Sequence, residues 1–416
     1  MVEMFRKLMT LDEAKEAILQ NFKHKPSAIE KVPLLEAYNR VLAQDVIATL
    51  NIPPFNRSTV DGYAVKAEDT FGADENKPVK LKVCGTVKIG ELPTVTVKSG
   101  NAAEIVTGAP IPQGANAVVM VEYTERRNNE LYVYSAVGEN ENVMKAGSDI
   151  KKGETVLKSG QLLDSREVGV LAALGMAKAK VYTKPKVAIF STGAEVTEPG
   201  EKLASGKIYD INGYTLSAAV LENGGEPEFL GVVPDSKNEL QAALKQALKS
   251  TDLVLTSGGV SVGPTDVMPQ VLNELGKPGV IVCGIAVKPG KPTTVASIDG
   301  KMVFSLPGHP TSSLLLFHLL VRHVLRLMAG REMEKPLLVE AFASKRMFPA
   351  KGRKTFIMVR LENDKKASRL LAEPVSEGLS GAITTLARAE GFVEIAENQQ
   401  FIDVGEKVTV HLFRNS

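Results

Sequence analysis

Three loops between residues 257 and 310 restrict what this chain can fold into more than anything else in it. They are Ser257-Gly258-Gly259-Val260-Ser261-Val262-Gly263, Lys288-Pro289-Gly290-Lys291-Pro292 and Leu306-Pro307-Gly308-His309-Pro310. Each follows or joins short apolar runs that read as parallel strands. A parallel α/β sheet gathers such loops along the carboxyl ends of its strands, where ligands bind. The set combines bare backbone amides, two lysines on a proline-stiffened turn and a helix amino terminus. That combination predicts a receptor for a phosphorylated small molecule.

Bulk properties set outer limits. At 416 residues the chain exceeds one core and should divide into roughly two to four domains. With 44% apolar and 24% charged residues it reads as an ordinary soluble globular protein. Fifty basic and 48 acidic residues leave a net charge of +2, so no global basic field argues for nucleic acid. Cys84 and Cys283 lie far apart without metal-ligand spacing, which fits a reduced cytoplasmic compartment. The first residues lack the apolar core of a signal peptide. The longest apolar stretch, Leu314 to Leu327, is interrupted by His318, Arg322, His323 and Arg326 and reads as a buried amphipathic helix, not a membrane span.

The expected fold is a multidomain α/β protein: a three-layer α/β/α parallel-sheet domain, an inserted mostly β domain, a small helical domain and a C-terminal β barrel. Residues 1–47 plus 148–183 are expected to form the discontinuous helical domain. Thr10-Leu11-Asp12-Glu13 opens its first helix with a capping box, and Asp164-Ser165-Arg166-Glu167 caps the helical return. Short strand-like runs separated by Gly, Pro and Asn make 48–147 the inserted β domain. From 184 to 331 strands and amphipathic helices alternate. The helix after Ser236 is expected to carry a capping box with Glu239 and an apolar stripe of Leu240, Ala243, Leu244, Ala247 and Leu248. Residues 336–416 return to strand-like runs.

The loop chemistry is anion-directed. Ser257, Gly258, Gly259, Ser261 and Gly263 let backbone N–H groups approach an anion, although the loop matches neither a Walker A nor a dinucleotide fingerprint. Its plainer alternative is a tight turn that needs glycine for packing. Lys288 and Lys291 sit on one stiff turn with no acid nearby in sequence, which suits phosphate or an oxyanion. Pro307, Gly308 and Pro310 bring a helix start to the same edge. Carboxylates form a second theme: Glu195, Asp235 and Asp266 each follow a strand, where Mg²⁺ could bridge them to phosphate oxygens. For Asp235 helix capping is the plainer reading, and for Asp266 cap and ligand stand level. Asp61 lies in the irregular segment Pro53-Pro54-Phe55…Asp61-Gly62-Tyr63-Ala64, and Thr107 opens a turn-rich loop typical of any β connection.

Taken in order, these segments resemble the molybdopterin molybdenumtransferase family, of the MoeA and gephyrin E-domain type. Pro53-Pro54-Phe55…Ser58…Asp61-Gly62-Tyr63-Ala64, Thr107-Gly108-Ala109-Pro110, Ser191-Thr192-Gly193-x-Glu195, Ser257 to Gly263 with Asp266, Lys288 to Pro292 and Leu306-Pro307-Gly308-x-Pro310 look like its motifs. The resemblance covers nearly the whole chain. It implies a homodimer whose cleft lies between the α/β domain of one copy and the β domain of the other. It also implies that adenylated molybdopterin is hydrolysed and molybdate inserted at its dithiolene, with Mg²⁺ assisting. Asp61, Thr107, Glu195, Asp235, Asp266 and Lys288 then correspond to catalytic positions. Glu195, Asp235 and Asp266 correspond to metal positions, and the glycine loop with Lys288 and Lys291 to phosphate-binding ones. Asp149 matches a further acidic position, and Ser380 to Thr385 a Gly/Ser-rich loop near the cleft. A separate adenylating protein is the expected donor of substrate. Met144, Gly284 and His309 depart from the common pattern, where arginine, lysine and asparagine occur. Two cations fewer in the anion site keeps tungstate beside molybdate as the metal.

Two competing functions remain at this stage. The α/β domain alone could adenylate molybdopterin or act on nucleotides, but the segment around Asp61 and the Lys288 loop argue against that. A catalytically silent scaffold would call for an extra linker or partner-binding domain, and neither is seen in the sequence.

Overall fold

The computed structural model describes residues 8–23, 28–259, 267–332, 336–364, 367–375 and 383–413. The chain forms two compact units. One comprises Met1–Lys31, Asn39–Val41 and Lys180–Ser416, the other Val32–Tyr38 and Leu42–Ala179.

In the first unit, a six-stranded sheet has the order Glu226–Val233, Lys186–Thr192, Leu253–Ser257, Lys301–Leu306, Thr294–Ile298, Pro278–Cys283. Its first four strands are parallel, with Val187 opposite Leu253 and Leu253 opposite Met302. Alternate side chains of these apolar strands enter different cores. Val187, Ile189, Leu253, Leu255, Met302 and Phe304 pack with Leu216, Leu316 and Val324 on one face. Ala188, Phe190, Val254 and Val303 pack with Leu240, Leu244, Met268 and Leu272 on the other. This two-faced burial is why the strands carry no polar–apolar alternation.

The last two strands correct the all-parallel expectation. Thr294–Ile298 runs antiparallel to both neighbours. The cause is local: Asp299 (φ 51°) and Gly300 (φ 91°) form a two-residue turn with both residues left-handed, which joins the strands as a hairpin. Pro278–Cys283 therefore again points its carboxyl end towards the loop edge, and residues 284–293 connect at that edge.

Thr10 caps the helix Leu11–Asn21 with a complete capping box, as does Asp164 the helix Ser165–Ala173. Ser236 caps Lys237–Ser250 through the Glu239 amide alone, so only half of that expected box forms. Leu11, Ala14 and Ile18 of the first helix are buried in the α/β core. The 148–183 return carries the expected helix Ser165–Ala173 and, besides it, strands Thr155–Leu157 and Lys178–Tyr182. The helical run Pro310–Met328 is long and apolar enough to cross a membrane by length and composition. Here Leu315, Leu316, Phe317, Val321, Val324 and Leu325 are core residues instead. A π-turn, Phe317–Val321, interrupts it.

The C-terminal strands Lys354–Asp364, Arg369–Pro374, Leu338–Ala343, Lys407–Leu412 and Gly391–Ile395 close on themselves into a five-stranded barrel. In the second unit a curled six-stranded sheet has the order Ala117–Met120, Gly62–Val65, Asn101–Ile105, Val79–Val87, Glu130–Val133, Thr124–Arg127. Its two faces bury separate clusters around Tyr63, Leu131 and Val119 and around Ala64, Ile105 and Val118.

Candidate active site

The α/β sheet changes its winding direction between Lys186–Thr192 and Leu253–Ser257, and a doubly wound sheet opens a crevice at such a point. Gly258 (φ 88°) and Gly259 (φ 64°) leave the second strand in left-handed conformations. A Cβ on Gly258 would fall 2.0 Å from the Thr192 carbonyl oxygen. Only glycine permits so close a backbone approach. A Cβ on Gly259 would meet Thr192 Cγ2 at 2.8 Å and Asp235 Oδ1 at 3.3 Å, which locates Asp235 beside the loop. Glu195 folds back over Gly193, where a Cβ would meet its two carboxylate oxygens at 2.8 and 2.9 Å. Glu195 and Asp235 are both exposed. Asp266, Ser261 and Gly263 lie outside the described residues, as do Ser380 to Ala382 of the C-terminal loop.

The 306–310 loop adjoins the glycine loop. The Gly258 amide donates to the Leu306 carbonyl at 3.2 Å, and the Ser257 hydroxyl to the Pro307 carbonyl at 3.3 Å. Pro307 is buried, whereas Gly308 and His309 are exposed. Pro310 occupies the first turn of its helix, where a missing N–H costs nothing.

Lys288 and Lys291 lie on the third loop of the edge. Its ends are clamped: the Ile285 amide donates to the Lys291 carbonyl at 3.0 Å, and the Thr293 hydroxyl to the Gly290 carbonyl at 2.7 Å. Val287–Lys288 also pairs, parallel, with Lys354–Thr355 of the barrel. The loop thereby forms a wall of a cavity of about 660 Å³ lined by Lys288, Lys291, His309, Lys345, Arg346 and Arg353. Among the described residues no carboxylate lines this cavity. Arg346 is paired with Asp403 at 2.9 Å and Lys345 with Glu373 at 3.3 Å. Lys288, Lys291 and Arg353 have no ion pair among the described residues, so their charge remains directed at whatever enters. Phe348 and Phe356 add apolar surface to the wall.

In the other unit, Asp61 and Thr107 are joined directly. Asp61 Oδ1 accepts from the Thr107 amide at 2.7 Å and from its hydroxyl at 2.9 Å. Those bonds, the backbone one first, hold the Asp61 carboxyl below its ordinary range. Asp149 is exposed nearby in sequence to the departure at Met144, whose sulfur accepts from the Arg57 guanidinium at 3.3 Å. Gly284 is left-handed (φ 79°) and a Cβ there would press on Leu8 at 2.8 Å, so a lysine at this position would be strained.

Sequence reasoning missed the buried polar network behind the edge. Asp210 Oδ1 accepts from the Ser191 hydroxyl at 2.8 Å and from the Gly213 amide at 3.1 Å. Asn212 Nδ2 donates to Ser257 Oγ and to the Gly308 carbonyl, both at 2.7 Å. Polar residues at the start of a helix otherwise apolar on its inner side were the available signal. It also missed Lys345, Arg346 and Arg353, which reach the cavity only through the barrel's pairing with Lys288.

For a divalent metal, the exposed oxygens of Glu195, beside Gly193, and of Asp235, beside Gly259, are the hard donors Mg²⁺ prefers. Among the described residues no group of three or more His, Cys, Asp or Glu side chains comes together.

Comparisons with known proteins cover the chain from end to end. Residues 9–175 match the MoeA N-terminal region (domain I and II), 188–327 the probable molybdopterin binding domain, and 340–413 the MoeA C-terminal region (domain IV). A molybdopterin molybdenumtransferase of Haemophilus influenzae is 33% identical over 412 residues, covering 98% of this chain and 99% of that one. Among solved structures, a molybdopterin biosynthesis moeA protein from Pyrococcus horikoshii superposes with a TM-score of 0.84 at 44% identity, covering 99% of this chain and 100% of its own. A second from the same organism gives 0.81 at 35% identity, with 98% and 100% covered.

Proposed function

The chain belongs to the MoeA family and acts as a molybdopterin molybdenumtransferase in molybdenum cofactor biosynthesis; from that premise we propose that the carboxyl edge of the α/β sheet and its adjoining cavity bind adenylated molybdopterin. The observation that carries this reading is the convergence of three loops. The glycine loop, the Lys288–Lys291 turn and the 306–310 loop meet at one edge, and cations with no ion pair among the described residues line a cavity of about 660 Å³. The Gly258 amide is already given to the Leu306 carbonyl, so the later amides of the glycine loop are the ones read as suiting phosphate oxygens, while Lys288, Lys291 and Arg353 suit a phosphate or a tetrahedral oxyanion. Hydrolysis breaks the phosphoanhydride bond, water supplies a hydroxyl to one phosphorus and a proton to the other fragment, and AMP leaves. Molybdate at the dithiolene takes both sulfurs as ligands, one of its oxygens leaving with the two thiol protons as water, and its binding there promotes the cleavage.

Glu195 and Asp235, with Asp266 as the expected third donor, would hold Mg²⁺, which offsets negative charge on phosphate oxygens when bound. Asp61 and Thr107 are read as the wall contributed by a second copy in a homodimer. The domain division at 48–147, 184–331 and 336–416, a cytoplasmic location and an adenylating partner protein belong to the same proposal and rest on the resemblance.

The test is AMP release from adenylated molybdopterin with Mg²⁺, adding molybdate or tungstate separately. Release stimulated by molybdate is expected; stimulation by tungstate alone would change the metal. Lys288→Ala should cut kcat/KM by roughly 10- to 100-fold, the worth of one charge-assisted contact. Wild-type turnover in both Lys288→Ala and Lys291→Ala would move the site elsewhere.

A further inference from the structure

The three loops could hold one ligand only if their spacing is fixed beyond the ends of the strands that carry them. The strand ladder itself stops at the Ser257–Leu306 pair. Past that point two direct ties remain, the Gly258 amide to the Leu306 carbonyl at 3.2 Å and the Ser257 hydroxyl to the Pro307 carbonyl at 3.3 Å, and neither reaches Gly308.

Asn212 spans this gap. The residue is 7% exposed, and its amide nitrogen donates at 2.7 Å both to Ser257 Oγ and to the Gly308 carbonyl. A carbonyl can only accept, so the amide must present its nitrogen there and its orientation is chemically fixed. The residue is held in place from behind. Asp210 Oδ1 receives the Gly213 amide, fixing the first turn of Asn212–Glu222, and receives the Ser191 hydroxyl, tying that turn to the neighbouring strand. One chain of hydrogen bonds thus runs from strand Lys186–Thr192 through Asp210 and the helix start to both site loops. Asn212 Oδ1, buried, has no partner among the described residues. Burying an amide with an unmet acceptor costs stability, so packing alone gives little reason for asparagine here.

We propose that Asn212 is a positioning residue of the transferase site, setting the distance between the glycine loop and the 307–308 loop and thereby the affinity for the adenylated pterin. This rests on the reading of that edge as the substrate site. The side chain acts through the two loops and touches no reacting atom.

Two variants dissect its two arms. Asn212→Asp keeps shape but loses both donated bonds: it could accept from the Ser257 hydroxyl only by drawing it from the Pro307 carbonyl, and it sets a carboxylate oxygen against the Gly308 carbonyl. Ser257→Ala removes the other arm. Steady-state AMP release and thermal melting are measured on the full-length protein for wild type, Asn212→Asp, Asn212→Ser, Ser257→Ala and Asn212→Ala. Loosening loop contacts to a charged ligand costs about 10- to 100-fold in affinity. Asn212→Asp should therefore raise KM by about 10-fold or more while kcat stays within about threefold, the pattern of lost ground-state binding. Asn212→Ser, which restores a donor for one loop, should recover part of the KM that Asn212→Ala loses. Should Asn212→Ala fail to fold, the other variants carry the test. An active wild type with unchanged KM in Asn212→Asp overturns the proposal, as does a fall in kcat at constant KM. An inactive wild type would instead count against the site reading itself.

Discussion

The carboxyl edge of the α/β sheet and the Asp61–Thr107 pair of the second unit are both candidate site regions, yet they are built on opposite principles. The edge is assembled from residues far apart in sequence, and behind its exposed carboxylates lies a layer of buried polar atoms. Thr192 Oγ1, Thr256 Oγ1, Ser305 Oγ and Asn212 Oδ1 all lack partners among the described residues. Asp61 is exposed, and its Oδ1 takes both bonds from one residue, Thr107. The first region depends on the fold around it; the second depends on a single contact. Damage at the edge should therefore spread through structure and binding together, whereas damage at Asp61 should stay confined to chemistry.

The sharpest way to break this comparison is Gly258→Ala. The new methyl would sit 2.0 Å from a backbone oxygen, at φ 88°, so the main chain has to move. The cost is roughly 3 kcal/mol from strain and overpacking together. A melting curve should fall by several degrees while AMP release is lost. If both survive, the edge is more pliable than its packing implies. The same substitution at Gly72, which has open space around it, controls for positive φ alone.

Acid should separate the two regions next. Burial, aided by the Arg322 guanidinium, lowers the His318 pKa from 6.5 to about 4. Lys15, His323, Arg326 and Arg331 share the adjoining cavity wall, so the setting is cationic as well as enclosed. A histidine with a depressed folded pKa is neutral in the fold and protonated sooner when unfolded. Its contribution is therefore complete above 6.5 and is lost as pH falls towards 4. Over that window stability should drop by at most about 3 kcal/mol. His318→Phe, which keeps a ring against Phe317 and Phe413, should flatten the slope in a denaturant series run from pH 7 to 4. Asp61 behaves differently: its lowered pKa keeps its contribution intact until pH falls below the ordinary carboxylate range. Hydrogen exchange should accordingly find the α/β unit loosening first on acidification.

How much of this was legible in the sequence follows the same division. Runs such as Leu253–Ser257 announce buried strands because nothing in them alternates, and capping residues at Thr10 and Asp164 announce helix starts. Both are local signals. The three loops could be assigned to one edge because a doubly wound sheet allows little else. The antiparallel turn at Asp299-Gly300 was equally local and was overlooked, since the apolar run on each side looked parallel. What the sequence could not reveal was pairing over long range. Nothing near Arg353 announces that Val287–Lys288 will lie against Lys354–Thr355 and bring barrel cations to a cavity. Nothing near Asn212 announces that its amide will bridge Ser257 and Gly308, because the three positions meet only once the sheet has formed.

The smallest effect, and the finest test of the contrast, lies at Asp61 and Thr107. Thr107→Val removes the hydroxyl bond but keeps the amide bond, which is the larger cause of the lowered Asp61 pKa. The Asp61 pKa should rise, yet remain below that of an ordinary aspartate. If Asp61 works as a carboxylate, the acidic limb of the pH–rate profile moves upward with it. Asp61→Asn keeps an oxygen to accept from Thr107, so the loop should hold its conformation and the melting temperature should stay where it was. Activity should nonetheless fall, because the negative charge is gone. A clear loss of stability in Asp61→Asn would make Asp61 a structural tie like those behind the α/β edge. Full activity with unchanged stability would remove it from the site.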